Sequence, residues 1–249
     1  MAEQKKKKAP PRKKPTRRTT RKPKKASIWR RIWRWIWRAP LIFVALVLLW
    51  VAATSFINPP TTPYMLAESN RHGPLKHTWV DLENIAPVMA RSVVAAEDAN
   101  YCLHWGFDIA ALREAIEDGA NRGASTLTQQ VAKNVFLWHG RNYVRKALEA
   151  ALTPAIELFW SKRRIVEVYL NVAEFDQGVF GVGAAAQHYF GVSADKLSAS
   201  QAAHLAAILP NPKGRSASRP GAFTRNRAAS IVDGAATIAA DGRADCFSG

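Results

Sequence analysis

Cysteine is scarce: the 249 residues include only Cys102 and Cys246, 144 positions apart. Neither has metal-ligand spacing around it, which excludes a zinc module or an iron–sulfur site. Cys102 sits where an aliphatic side chain would also fit, so a buried free thiol is expected rather than a disulfide. Acid is scarce in one region only. Residues 1–38 hold 17 of the 36 Lys/Arg but one of the 19 Asp/Glu, Glu3, leaving 19 against 18 in the rest of the chain. The formal charge of +17 therefore belongs to a tail, and the remainder is near neutral. Alternating β-branched runs are few, and hairpin turns are missing beyond about Asp81. Internal repeats are missing too, which argues against sandwiches, barrels and solenoids.

A basic tail by itself suits nucleic acid as well as anionic lipid. The adjoining segment decides for the membrane and against nucleic acid. Residues 41–57 (LIFVALVLLWVAATSFI) carry no charge, and 17 helical residues span about 25 Å, just short of a hydrocarbon core of roughly 30 Å. Before them, in Ile28–Arg38, the side chains of Arg30, Arg31, Arg34 and Arg38 fall within one arc of about 100°, with every Trp and Ile outside it. That pattern predicts an interfacial helix at headgroup level, with Pro40 bending the chain into the spanning helix. A cleaved signal peptide fits less well, because the charged region is long and no small-x-small cleavage site comes after the apolar run. The positive-inside rule then puts residues 1–38 in the cytoplasm and 58–249 outside it, as a single-pass protein of the cytoplasmic (inner) membrane.

The expected organisation is a basic tail with its interfacial helix (1–38), a transmembrane helix (39–57), a linker (58–80) and one domain (81–249). Asn58-Pro-Pro-Thr-Thr-Pro63 reads as a stiff extended spacer. The domain reads as all-α, with helices near 84–99, 109–120, 126–138, 142–159, 162–171, 182–189 and 199–209. Ser125, Ser161 and Ser198 are the expected N-caps, and Pro154 should bend the fourth helix.

Two polar blocks are poor core material and good material for a site: Glu97–Asp108 and Gly123–Asn134. In the second, Thr126, Gln130 and Lys133 recur on one helical face while Leu127, Val131 and Val135 share the inward one. Hydroxyl, amide and ammonium groups at a helix start suit phosphate or sugar. Lys133, Arg141, Arg145 and Lys146 place four cations within 14 residues of a near-neutral domain, as a pyrophosphate leaving group requires. Arg145 and Glu149 are spaced i, i+4. Glu97 closes an otherwise apolar helix, so burial should raise its pKa toward neutral and suit it to general-base work. Asp98 points to another face and holds the local loop; His104 is assigned no proton transfer.

These blocks resemble the first two motifs of the peptidoglycan glycosyltransferases (glycosyltransferase family 51). Glu97-Asp-Ala-Asn-Tyr-Cys-Leu-His104-Trp-Gly106 is similar to the first motif and Gly123-Ala-Ser-Thr-Leu-Thr-Gln-Gln-Val-Ala-Lys133-Asn134 to the second. Arg145-Lys146-x-x-Glu149, Lys162–Asn171 and Gly178–Gly191 come in order as the third to fifth. The stretch from Phe136 to Gly181 looks most like the single-domain members. The resemblance implies a lysozyme-like all-α glycosyltransferase domain that polymerises lipid II into β-1,4-linked glycan with release of undecaprenyl diphosphate. It implies Glu97 and Glu149 as catalytic. Ser125, Thr126, Gln129, Gln130, Lys133, Asn134, Arg141, Arg145 and Lys146 would bind substrate. Glu149 would orient the cations or hold a divalent cation such as Mg or Mn; no organic cofactor is implied. The implied partners are lipid II, polyprenyl-diphosphate-linked glycan, the membrane, and other cell-wall synthesis or division proteins. An apolar surface around Trp105–Leu112 should dip into the outer leaflet.

Three other readings fare worse. A lytic transglycosylase would share the fold and a lone Glu but has little use for the cation set. Ser193-Ala-Asp-Lys196 matches a transpeptidase motif with no companions and too little chain after it. A membrane-tethered scaffold would not need to retain Glu97, Glu149 and every cation.

Overall fold

The computed structural model describes residues 28–119, 123, 125–140 and 142–248; the tail 1–27 and Arg141 lie outside the described residues. Helix α1 runs Ile28–Thr54 without interruption through Pro40. The interfacial and spanning segments expected on either side of Pro40 are one helix, since one missing N–H and a fixed φ near −65° can be carried inside a helix at the loss of a single bond. Twenty-seven helical residues reach about 40 Å, longer than a bilayer core. The last turns of α1 are seated: Trp160 donates to the Val51 carbonyl at 2.7 Å, and Arg164 donates to the carbonyls of Thr54 and Ile57 at 3.2 and 3.1 Å. The stretch expected to be extended is non-helical from Asn58 to Thr62, and within the rest of the expected linker lies helix α2 (Pro63–His72), started by Pro63 and capped by Thr62.

The remaining helices are α3 (Pro87–Glu97), α4 (Ile109–Glu117), α5 (Leu127–Val131), α6 (Tyr143–Phe159), α7 (Lys162–Val172), α8 (Val182–Phe190), α9 (Ala199–Ile208) and α10 (Ala222–Ala240). The expected helix over 126–138 is shorter and changes character: α5 passes into a π-helical turn over Ala132–Phe136, a geometry found mostly at functional sites. Its apolar face is as expected, with Leu127, Val131 and Val135 buried. The N-cap is Thr126, not Ser125; Ser161 and Ser198 cap α7 and α9 as read. α6 continues through Pro154.

Two features depart from an all-helical picture with a plain C-terminus. A small sheet, ordered β1-β3-β2, joins β1 (Lys76–His77) in parallel to β3 (Val179–Phe180), and β3 antiparallel to β2 (Glu174–Asp176). The β2–β3 turn is a hairpin of two residues, Gln177-Gly178, with Gly178 at φ 71°; the strands are too short to show alternation in sequence. The 19-residue α10 packs with α3 and α9 into one layer around Met89, Val93, Leu205, Ile208 and Ile231. A Cβ at Gly234 would sit 3.2 Å from the Ala95 Cβ, so glycine there permits the close approach of α10 to α3.

Beyond α10 the chain folds back, and Cys246 forms a disulfide with Cys102. The expected free thiol is thus corrected. The pairing depends on the C-terminal segment covering the turn after α3, where Phe247 is buried beside Tyr101 and Arg243 donates to the Ala99 carbonyl at 3.4 Å.

Candidate active site

Asp98 joins the two polar blocks. One carboxylate oxygen accepts from the Leu127 N–H at 2.9 Å, at the start of α5, and the other bonds His104 Nε2 at 2.8 Å. Thr126 donates to the Gly106 carbonyl at 2.8 Å. It also forms a reciprocal capping box with Gln129. Gly106 has φ 80°, and a Cβ there would lie 2.5 Å from Thr153 Cγ2. The first motif is therefore a brace that fixes where Glu97 and α5 meet. Thr126 and Gln129, expected to bind substrate, are buried, with the Thr126 hydroxyl and Gln129 Oε1 engaged in this brace. One ligand atom each from Asp98, His104 and Asp108 lie within 4.8 Å of one another. Their oxygens are already bonded to Leu127 N, Asn100 Nδ2 and Ala111 N, so the group reads as part of the same brace.

Glu97 ends α3 with its carboxylate mostly buried. Gln130 Nε2 donates to Oε2 at 3.1 Å, and the Tyr169 hydroxyl donates to Gln130 Oε1 at 3.2 Å, which fixes the orientation of the amide. Oε1 faces Arg227 at 3.5 Å. Burial raises the Glu97 pKa above 4.5; the Gln130 hydrogen bond, Arg227 and Lys133 oppose the rise. The expected direction thus holds, and its cause is desolvation.

Two clefts flank the Glu97–Gln130 bond. One, of about 340 Å³, is lined by Glu97, Asp98, Asp108, Glu114, Ser125 and Thr126. The other, of about 310 Å³, is lined by Gln130, Lys133, Asn134, His139, Glu174 and Lys213 among others. The Lys133 side chain makes no hydrogen bond or ion pair among the described residues. Burial and the neighbouring Arg145 lower its pKa, so an anion bound beside it would relieve both. Arg145 and Lys146 flank buried Glu149, one on each carboxylate oxygen; the Lys146 contact is 3.1 Å. Lys146 also donates to Ser125 Oγ at 2.7 Å, bridging the second and third motifs. Asn134 accepts from His139 Nε2 at 3.0 Å. The fold thus brings Ser125, Gln130, Lys133, Asn134, Arg145, Lys146 and Glu149 around Glu97's neighbourhood.

Sequence reading missed the far end of the second cleft. There the His139 ring stacks on Tyr64 at 3.4 Å, and burial, then Lys133, pushes its pKa down to about 3. Tyr64 donates to Glu174, and Lys213 pairs with both Glu174 and Glu68. The available signal was a lone acid, Glu174, inside the apolar run Leu170–Phe175. It missed Arg227 as well. The fourth-motif residues turn out to be framework: Asn171 is buried and clasps Val80 through both its amide atoms at 2.8 Å. Lys162 pairs with Glu157 at 2.9 Å and donates to the His104 carbonyl at 2.9 Å.

A family model described as transglycosylase matches residues 65–236. The chain is similar to the biosynthetic peptidoglycan transglycosylase of Jannaschia sp. (strain CCS1), 62% identical over 203 residues that cover 82% of this chain and 85% of that protein. It is 47% identical to the one from Caulobacter vibrioides over 83% of this chain and 92% of that protein. To the one from Pseudomonas putida (strain GB-1) it is 51% identical over 77% and 85%. On the match over most of its domain and these identities, the chain belongs to the transglycosylase family, as a peptidoglycan transglycosylase of cell-wall biosynthesis.

Proposed function

We propose that the enzyme polymerises lipid II, using Glu97 as general base. The acceptor's 4-hydroxyl gives its proton to Glu97 as its oxygen attacks the donor's anomeric carbon in line. The bond from that carbon to the pyrophosphate oxygen breaks, an α-linkage becomes a β-1,4 linkage, and undecaprenyl diphosphate leaves. The observation that carries this reading is a buried carboxylate of raised proton affinity between two clefts, one of them holding Lys133, which has no hydrogen-bond or ion-pair partner among the described residues. Lys133, Arg145 and Lys146, together with Arg141, stabilise the charge that builds on the leaving pyrophosphate.

Glu149 orients Arg145 and Lys146. Both of its oxygens face cations, so a divalent cation there would have to displace one of them. That donor set does not fit Mg or Mn, and no step is routed through a metal.

The enzyme works as a single-pass protein of the cytoplasmic membrane, with its domain on the outer side. Support comes from the apolar, exposed α1 and from the disulfide, which persists in oxidising compartments. The exposed side chains of Leu103, Trp105, Ile109, Leu112 and Ile116 on and before α4 offer the surface that enters the lipid. A polyprenyl substrate never leaves that plane.

The test is incubation of purified full-length protein in detergent with labelled lipid II, beside Glu97→Gln, with and without EDTA. Polymer from wild type alone, undiminished by EDTA, supports the reading. Polymer from Glu97→Gln removes Glu97 as base, and loss with EDTA restored by Mg or Mn removes the orienting role of Glu149.

A further inference from the structure

The carboxylate of Glu97 is held from two sides, and the second holder comes from the far end of the chain. Arg227 projects from α10 to the C-terminal end of α3. Its Nη2 donates to the Ala96 carbonyl at 3.2 Å and lies 3.5 Å from Glu97 Oε1, opposite the Gln130 amide on Oε2. A cation at a helix C-terminus is favoured by the helix dipole and by the free carbonyls there. Arg227 Nε is buried and has no hydrogen-bond partner among the described residues, so its Nη2 carries the contacts to the end of α3. The helix that carries it is pinned by close packing at Gly234 and by the Cys102–Cys246 disulfide just beyond its end.

We infer that Arg227 is a positioning residue for the transfer reaction: it holds the Glu97 carboxylate in place between the two clefts and sets the pH at which Glu97 can act. The inference rests on the reading of Glu97 as general base. The charged and titratable groups around Glu97 are few. Lys133 faces it from the π-turn, Asp98 is next to it in the chain, and Tyr169 of α7 reaches it through Gln130. Asp108 and Glu114 lie across the first cleft, one before and one within α4. Without Arg227, burial and the acids are opposed by Lys133 and the Gln130 hydrogen bond alone. An opposite charge at this range moves a carboxylate by about one pH unit or more.

The experiment is the pH profile of kcat/KM for lipid II polymerisation by full-length wild type, Arg227→Gln and Arg227→Lys. Arg227→Gln should move the acidic limb up by about one pH unit, which is about a tenfold loss on that limb, and leave the alkaline plateau within about threefold. Arg227→Lys, which keeps the charge, should restore most of the limb. An unmoved limb with a uniform loss at every pH, or a lysine variant no better than glutamine, overturns the inference. Should the glutamine variant fail to fold, Arg227→Met takes its place. An acidic limb about one pH unit above that of Arg227→Lys supports the inference, and coincident limbs in the two variants refute it. Polymer made by Glu97→Gln would instead sink the general-base reading itself, so the two failures are told apart.

Discussion

Removing the Cys102–Cys246 bond should destabilise the domain by about 2–5 kcal/mol. The bond joins residues 144 apart in sequence. In the chain-entropy account, closing a loop of that length removes about 17 cal/mol/K from the unfolded ensemble, or about 5 kcal/mol at 25 °C. Residual structure in the unfolded chain lowers that figure, so it is an upper bound. The native side adds little strain to subtract, because the Cα atoms lie 5.7 Å apart, within the usual range for a disulfide. The segment it ties down is also packed in its own right, by Phe247 and Ala244, both buried. The assay is urea unfolding of full-length protein in detergent, read by tryptophan fluorescence, for wild type and the Cys102→Ser/Cys246→Ser pair, each with and without reductant. The wild-type midpoint should fall to that of the double variant when reduced, while the double variant ignores the reductant. Two free thiols titrated in the unreduced, denatured wild type, or a destabilisation under about 0.5 kcal/mol, would refute the reasoning.

Two further outcomes come from the site. Burial raises the Glu97 pKa above 4.5, so the folded state binds that proton more tightly than the unfolded chain. This contribution is complete below about pH 4.5 and is lost as pH rises through the raised value. Glu97→Gln should therefore be more stable than wild type at pH 8 and should lose that advantage toward pH 4, as read by urea midpoints across the range; a pH-independent difference would contradict it. Gly106→Ala should cost about 2–4 kcal/mol, from the positive φ of 80° together with the overlap with Thr153. Thermal unfolding reads that loss, and an unchanged midpoint would mean the brace is not as drawn.

Much of the molecule was legible because its signals are local. The charge-free run of α1, the inward face Leu127–Val131–Val135 and the caps Ser161 and Ser198 each lie within a few turns of chain, where periodicity and capping chemistry act directly. The five motif blocks were legible as a set, but not in their division of labour. Ser125 was expected as a cap and Thr126 as a ligand, yet Thr126 caps α5 and Ser125 faces Lys146. Which of two adjacent hydroxyls turns inward depends on where the Gly106 carbonyl lies. Helix α10 escaped notice because its alanines, serine and Gly234 give a weak apolar stripe; its reason for being helical is the surface of α3 and α9 that it covers.

What the sequence by itself determined is the separation of a basic tail, a helix long and apolar enough to cross a membrane and a helical domain, and the presence of acids beside a set of cations. These come from composition and from periods of two to four residues. Only the tertiary structure decided that Cys102 pairs with Cys246, that Lys213 and Tyr64 meet Glu174, and that Arg227 stands over Glu97. Those partners lie 39 to 144 positions apart. No local pattern encodes such a meeting; the packing of α3, α9 and α10 around a shared core brings Arg227 to Glu97, and the fold at large brings the others together.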